Sequence, residues 1–216
     1  MLRELKEGLD MHSLNQEAFK LPSRLIAKVL NFRVLYGGTE FSFVQDPDFN
    51  TINSSPKFWR NVLDAYYDKY KGIARWHNNL VQEVTRTGRL RIPSTGRLFT
   101  FKQYPNFRGE LEWPVTQIKN FPVQGTGNDL MAISRVNLYH LWKKRKMSGK
   151  LISTVHDSIV ADVPDNEVVK GCQLFLEAFD MVPNTFHRLF GVEYDLPFKG
   201  EVQFGPNLNQ MEEYKP

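Results

Sequence analysis

Residues 24–37 read RLIAKVLNFRVLYG, from Arg24 to Gly37. Taken as an α-helix at 100° per residue, Arg24, Lys28, Phe32 and Tyr36 each advance by about 40°, so the four share an arc of about 120° along about 18 Å of axis. Leu25, Ile26, Val29, Leu30 and Val34 are expected to take the other side. Two cations followed by two aromatic rings on one face suit a partner that is both polyanionic and flat. A nucleoside triphosphate has that character: ammonium and guanidinium meet phosphate oxygens, and rings stack on base or sugar. The same spacing also describes an ordinary amphipathic helix with a wet basic side, and periodicity alone leaves both readings open.

The composition around this stretch sets broad bounds. With 216 residues, 41% of them apolar, the chain can bury a core and form one or two domains. A formal charge of +4 and a pI near 9.1 permit an anionic partner without requiring one. Cys172 is the only cysteine and the five histidines lack metal-ligand spacing, which excludes a disulfide framework and a cysteine-rich zinc site. Neither a signal-peptide pattern nor an apolar run of about 20 residues occurs, so the reading expects a reducing, cytoplasmic setting and no membrane.

Upstream, residues 1–22 read as two short helices parted near Gly8 to Asp10, with Pro22 and Ser23 opening the next. Gly37-Gly38 permit a turn, and Thr39 to Asn53 reads as loop with a short helix. Ser55 to Arg86 is long and periodic from Pro56 onward, with a break expected at Gly72. Its aromatics, among them Trp59, Tyr66 and Tyr70, are predicted to be core. Gly88 to Phe101 has hairpin signals, and Arg89, Arg91 and Arg97 read either as contacts to a phosphate backbone or, by default, as its charged, solvated edge. Tyr104 to Pro114 reads as loop. Val115 to Lys146 is helical, with Pro122 expected to kink or restart it, and its basic end suits a helix C-terminus. Lys150 to Pro164 alternates on both sides of His156-Asp157, the pattern of two strands meeting at a tight turn. Asp165 to Phe190 is helical with Cys172 buried, and Asp195 to Phe204 reads as a strand.

Position by position, residues 24–37 resemble motif B of the family A DNA polymerases, the DNA polymerase I type: Arg, three residues, Lys, three, Phe, three, Tyr-Gly. The stretch from Asn120 through Gln124-Gly125-Thr126 to Asp129 is similar to the family's palm helix that approaches the primer–template minor groove. Val155-His156-Asp157 is similar to motif C. The three occur in the family's order at about its separations, and the resemblance covers essentially the whole chain as the final third of a polymerase I-type protein.

The resemblance implies an α+β fold: a helical fingers subdomain plus a partial palm with antiparallel sheet, an incomplete right hand. Residues 1–12 would be the palm segment after motif A, 13–114 the fingers and 115–216 the C-terminal palm. It implies template-directed DNA synthesis, nucleotidyl transfer from a dNTP to a primer 3′-hydroxyl by a two-metal mechanism. Asp157 would bind Mg2+ from the hairpin tip. Lys28 would neutralise the triphosphate and protonate pyrophosphate, Arg24 would hold the γ-phosphate, and Phe32, Tyr36 and Gly37 would shape the nascent base-pair pocket. Asn120, Gln124 and His156 would touch the minor groove of primer–template DNA, where purine N3 and pyrimidine O2 accept hydrogen bonds from every correct pair.

Two residues depart from the family's pattern. Arg33 stands where Gly is common, which puts the packing behind the helix in question, and Ser158 stands where Glu is frequent, one carboxylate fewer. Motif A, which carries the second metal-binding aspartate, is absent from these residues. The expectation is therefore one subunit of a divided phage polymerase, inactive until a complementary polypeptide supplies motif A, the thumb and any exonuclease. A piece of a longer polymerase, a non-catalytic DNA-binding module and a polymerase-regulating remnant are the alternatives.

Overall fold

The chain begins with α1 (Leu2–Lys6) and α2 (Met11–Ala18), parted at Gly8 as expected, with Asp10 capping α2 through the His12 amide. This computed structural model describes residues 1–196 and 198–216. Two compact units emerge, Met1–Gln124 and Gly125–Pro216.

In the first unit α3 (Arg24–Leu35) follows, capped by Ser23, whose Oγ accepts from the Ile26 amide. Leu30 and Val34 are fully buried, but Leu25, assigned by periodicity to the apolar side, is 66% exposed. At 100° per residue Leu25 falls between Phe32 and Tyr36, on the side opposite the buried Ala27, Leu30, Asn31 and Val34, so it shares the open face. The expected loop at 39–53 contains two helices, α4 (Glu40–Gln45) and α5 (Pro47–Asn50). A reciprocal Thr39–Ser42 capping box starts the first, and Asp46 before Pro47 starts the second. Next come α6 (Pro56–Lys69) and α7 (Lys71–Thr87). The break falls at Tyr70 rather than Gly72: Tyr70 leaves helical geometry with its side chain buried and its hydroxyl on Asn15.

Trp59 organises the core, stacked on Phe43 at 5.2 Å and met edge-on by Phe49 at 5.3 Å, with Tyr66 also fully buried. The predicted hairpin is β1 (Arg89–Arg91) with β2 (Leu98–Thr100). The expected loop at 104–114 contains a short ladder, β3 (Tyr104–Pro105) with β4 (Leu111–Glu112). The long helix α8 (Val115–Lys144) runs through Pro122 without restarting, so the missing donor costs one backbone hydrogen bond and not the helix.

The second unit continues with β5 (Lys150–Val155) and β6 (Ser158–Asp162), an antiparallel hairpin closed by the two residues predicted. A 3-10 turn at Asp165–Glu167 leads to α9 (Val168–Asp180) and α10 (Val182–Phe190). The Glu167 carboxylate accepts from the Ser148 and Gly149 amides, which anchors the entry to β5. Leu138, Trp142, Leu174 and Ala178 form one core cluster, and Leu130, Ile133, Val182 and Phe186 another. The strand expected at 195–204 is displaced: β7 (Gln203–Asn207) pairs with β8 (Gln210–Glu213). Pro197 in that span lies outside the described residues. Gly205 occupies the irregular register of this pair, where an added Cβ would meet Gln210 O at 1.8 Å. The α+β class holds. Its antiparallel part consists of four two-stranded ladders among the described residues, and no helix among them is long and apolar enough to cross a membrane.

Candidate functional site

On α3 the four residues singled out by spacing lie on one side, Arg24, Lys28 and Phe32 exposed and Tyr36 half-buried. The Phe32 and Tyr36 rings stack with centroids 6.2 Å apart, and Phe32 is 42% exposed, an open flat surface one turn beyond Lys28. Arg24 is held by Asp10 in a two-pronged pair, Nε to Oδ2 at 2.6 Å and Nη2 to Oδ1 at 3.2 Å. That hydrogen bond, with a second from Ser13, holds the Asp10 carboxyl well below the usual carboxylate range. An anion that takes Arg24 must displace or share this carboxylate.

His12 belongs to the same cluster, a role that neither spacing nor motif assigned to it. Its Nδ1 lies 2.8 Å from Asn31 Nδ2, and its ring centroid lies 6.2 Å from that of Phe32. Burial, with Arg24 and then Lys28 beside it against the opposing pull of Asp10, holds its pKa below the ordinary histidine value. What could have exposed it is the cap: Asp10 starts α2 and thereby places His12 against the α3 side that carries Arg24 and Phe32.

Arg33 does not disturb the packing behind α3. Its guanidinium pairs with Asp46, donates to Ser42 O at 3.2 Å and lies 5.2 Å from the Phe49 ring centroid, so it fastens α3 to α4 and α5. The helix ends at Gly37, φ +81°, where an added Cβ would come within 2.8 Å of Lys119 Cδ. Behind that end His77, fully enclosed, donates from Nε2 to Leu35 O at 3.2 Å and receives Tyr67 Oη at Nδ1 at 3.2 Å. Burial first, then the neighbouring Lys119, press its pKa down to about 4.

Asn120 and Gln124 lie one turn apart on α8. Gln124 is exposed, while Asn120 Oδ1 is buried with no hydrogen-bond partner among the described residues, a cost natural folds seldom carry. In the second unit the β5–β6 turn presents His156 and Asp157, both exposed, with Val155 opposite Ser158. His156 has φ +52°, a left-handed conformation that disfavours side chains. Ser158, where a second carboxylate was in question, donates from Oγ to Val155 O at 2.8 Å and closes the turn. Ile152 and Val155 on β5 are 62% and 52% exposed, apolar groups at an open strand edge. No group of three or more histidine, cysteine or acidic residues suited to a metal ion occurs among the described residues.

With this geometry in hand, comparison with known proteins identifies the class. The sequence pattern of DNA polymerase family A matches residues 1–210, so the chain belongs to that family. It is similar to DNA polymerase I of Bacillus caldotenax, 23% identical over 209 residues, which is 93% of this chain and 21% of that protein. It is also similar to DNA polymerase I of Lactococcus lactis subsp. cremoris, 28% identical over 186 residues, 78% of this chain and 20% of that protein. The chain thus spans about a fifth of the length of these relatives. Among solved structures, the fold is similar to the polymerase domain of Pol1 from M. smegmatis in complex with DNA primer-template and dNTP. The TM-score is 0.65 at 17% identity, covering 91% of this chain and 34% of that one.

Proposed function

We propose that this chain is the nucleotide-gripping and primer-binding part of a DNA-synthesising enzyme. In this reading, residues 13–114 form the fingers, 1–12 and 115–216 are palm, and the substrates are a dNTP and primer–template DNA. The supporting observation is the α3 face of Arg24, Lys28, Phe32 and Tyr36, in a chain that matches DNA polymerase family A over residues 1–210. Lys28 neutralises triphosphate charge and gives a proton to departing pyrophosphate; Arg24 and His12 meet the outer phosphates; Phe32 and Tyr36, braced at Gly37, stack against the incoming nucleotide. Asn120, Gln124 and His156 donate to minor-groove acceptors.

Asp157 fits magnesium as one ligand, an exposed hard-oxygen donor on a tight turn. Bound magnesium supplies Lewis-acid stabilisation at the phosphate under attack. A two-ion centre takes a second carboxylate, in this proposal the motif A aspartate from outside these residues, whether on the same or a complementary polypeptide, and that part would also cover the exposed Ile152 and Val155 edge. Ser158 favours a second reading, a non-catalytic DNA-binding or polymerase-regulating relative, because the turn holds one acid fewer than the family's pattern.

Primer extension separates the two, measured with this chain alone and with a polypeptide carrying the motif A aspartate. Extension that needs both chains and falls by about 10³-fold or more in Asp157→Asn supports the enzyme. Duplex binding without extension in any combination supports the second reading.

A further inference from the structure

A line of polar side chains, buried at Asn15, Asn31 and Tyr70, runs from Lys69 at the end of α6 to the α3 face. Lys69 Nζ lies 2.6 Å and Tyr70 Oη 2.8 Å from Asn15 Oδ1. Asn15 Nδ2 lies 2.7 Å from Asn31 Oδ1, and Asn31 Nδ2 lies 2.8 Å from His12 Nδ1. Asn15 and Asn31 are 0% and 1% exposed, so water cannot substitute for a mismatched partner.

The direction of this line is set at one end. An ammonium group only donates, so the Asn15 oxygen must face Lys69 and its NH2 must face Asn31. The Asn31 oxygen then receives, its own NH2 turns to His12, and only an unprotonated ring nitrogen can accept it. We propose that Lys69, through Asn15 and Asn31, fixes His12 as the neutral tautomer with its proton on Nε2, so that the ring offers a hydrogen-bond donor beside Arg24 and Phe32. Lys69, Asn15 and Asn31 are positioning residues that act through His12. A proton on Nδ1 would set donor against donor in a dry space.

The charges facing the ring are Asp10 at the α2 N-cap and Arg24 and Lys28 from α3. Asp10 favours the imidazolium, but it is engaged by Arg24, and burial with the two cations acts the other way. The neutral state is thus supported from both sides of the ring. That the donor meets an oxygen of the anion held by α3 rests on the proposed function; the tautomer does not.

The test is a long-range proton–nitrogen correlation spectrum of the histidine-labelled full chain, without nucleotide, near neutral pH. The expected pattern for His12 is Nε2–H with bare Nδ1. Asn31→Asp replaces the facing donor by an acceptor, so His12 should move its proton to Nδ1 and its pKa should rise by about one unit or more. Lys69→Met keeps the stem but removes the group that can only donate, leaving on Asn15 the Tyr70 hydroxyl, which can donate or accept, and should give a mixture of tautomers. Nδ1–H or imidazolium in the wild type overturns the proposal, as does a folded Asn31→Asp protein with unchanged His12 signals. If Asn31→Asp does not fold, the wild-type tautomer and Lys69→Met decide. Adding dATP with magnesium then probes the role: a shifted Nε2 signal supports it, and an unmoved one overturns the nucleotide contact while leaving the tautomer assignment standing.

Discussion

Lys28 shows what one residue contributes. It is exposed, and no ion pair of the described residues engages it, whereas Arg24 four residues earlier is already gripped by Asp10. In the proposed function, Lys28 therefore meets the triphosphate without first releasing a partner. Lys28→Ala should lower nucleotide incorporation by about 10²-fold or more while changing duplex affinity little, as read from single-turnover extension beside equilibrium DNA binding. Equal loss in both would place Lys28 on the DNA and not on the nucleotide. Arg33 carries the opposite lesson. A cation in an apolar arc looks like a flaw in the sequence, yet it has an acid, a carbonyl and an aromatic face waiting for it. Arg33→Ala should cost about 1 kcal/mol in denaturant unfolding, the order of a partly exposed ion pair and one cation–π contact. A loss below the error of that measurement would show that the three contacts add nothing to solvation of the free guanidinium.

At the level of the element, the β5–β6 hairpin holds a conflict between stability and use. A two-residue connection favours a positive φ, a demand that glycine meets without strain, yet His156 sits there at +52°. The proposed minor-groove contact explains why a side chain is kept at that cost. His156→Gly should raise stability by up to about 1 kcal/mol, the left-handed strain partly offset by the added freedom of the unfolded chain. The same change should weaken primer–template binding. Thermal unfolding and DNA titration on one variant check both, and a destabilised variant would mean that the imidazole holds the turn. The hairpin itself was legible because strand alternation stops at two residues and resumes. Where α4 and α5 stand, the sequence pointed to a single short helix in a loop, because each is only one to two turns long and the evidence for them lies in caps rather than in periodicity.

On the scale of the folded chain, burial sets a pH limit on the first unit. His77 is neutral when folded, with a pKa near 4, and near 6.5 when released. Above pH 6.5 neither state binds the proton and the full stability is present. As pH falls from about 6.5 the unfolded state takes it up first, so stability declines until about pH 4, by about 3 kcal/mol in total. Unfolding free energies between pH 7 and 4 should show that slope and lose most of it in His77→Gln. An unchanged slope in the variant would assign it to other groups. The depressed value arises from enclosure between Tyr67 and the end of α3, which no spacing rule announces.

The sequence by itself determined the family, through three motifs in order along the chain, and the α3 face and the β5–β6 turn, because these two depend on local spacing, where helix and strand periods place side chains directly. Tertiary packing alone decided that Asp10 holds Arg24, that His12 joins that cluster, and that Lys69 reaches His12 through two buried amides. Those contacts join residues 14 to 54 positions apart. Such pairings are selected by which polar groups find partners once water is excluded, and local sequence carries no period for that.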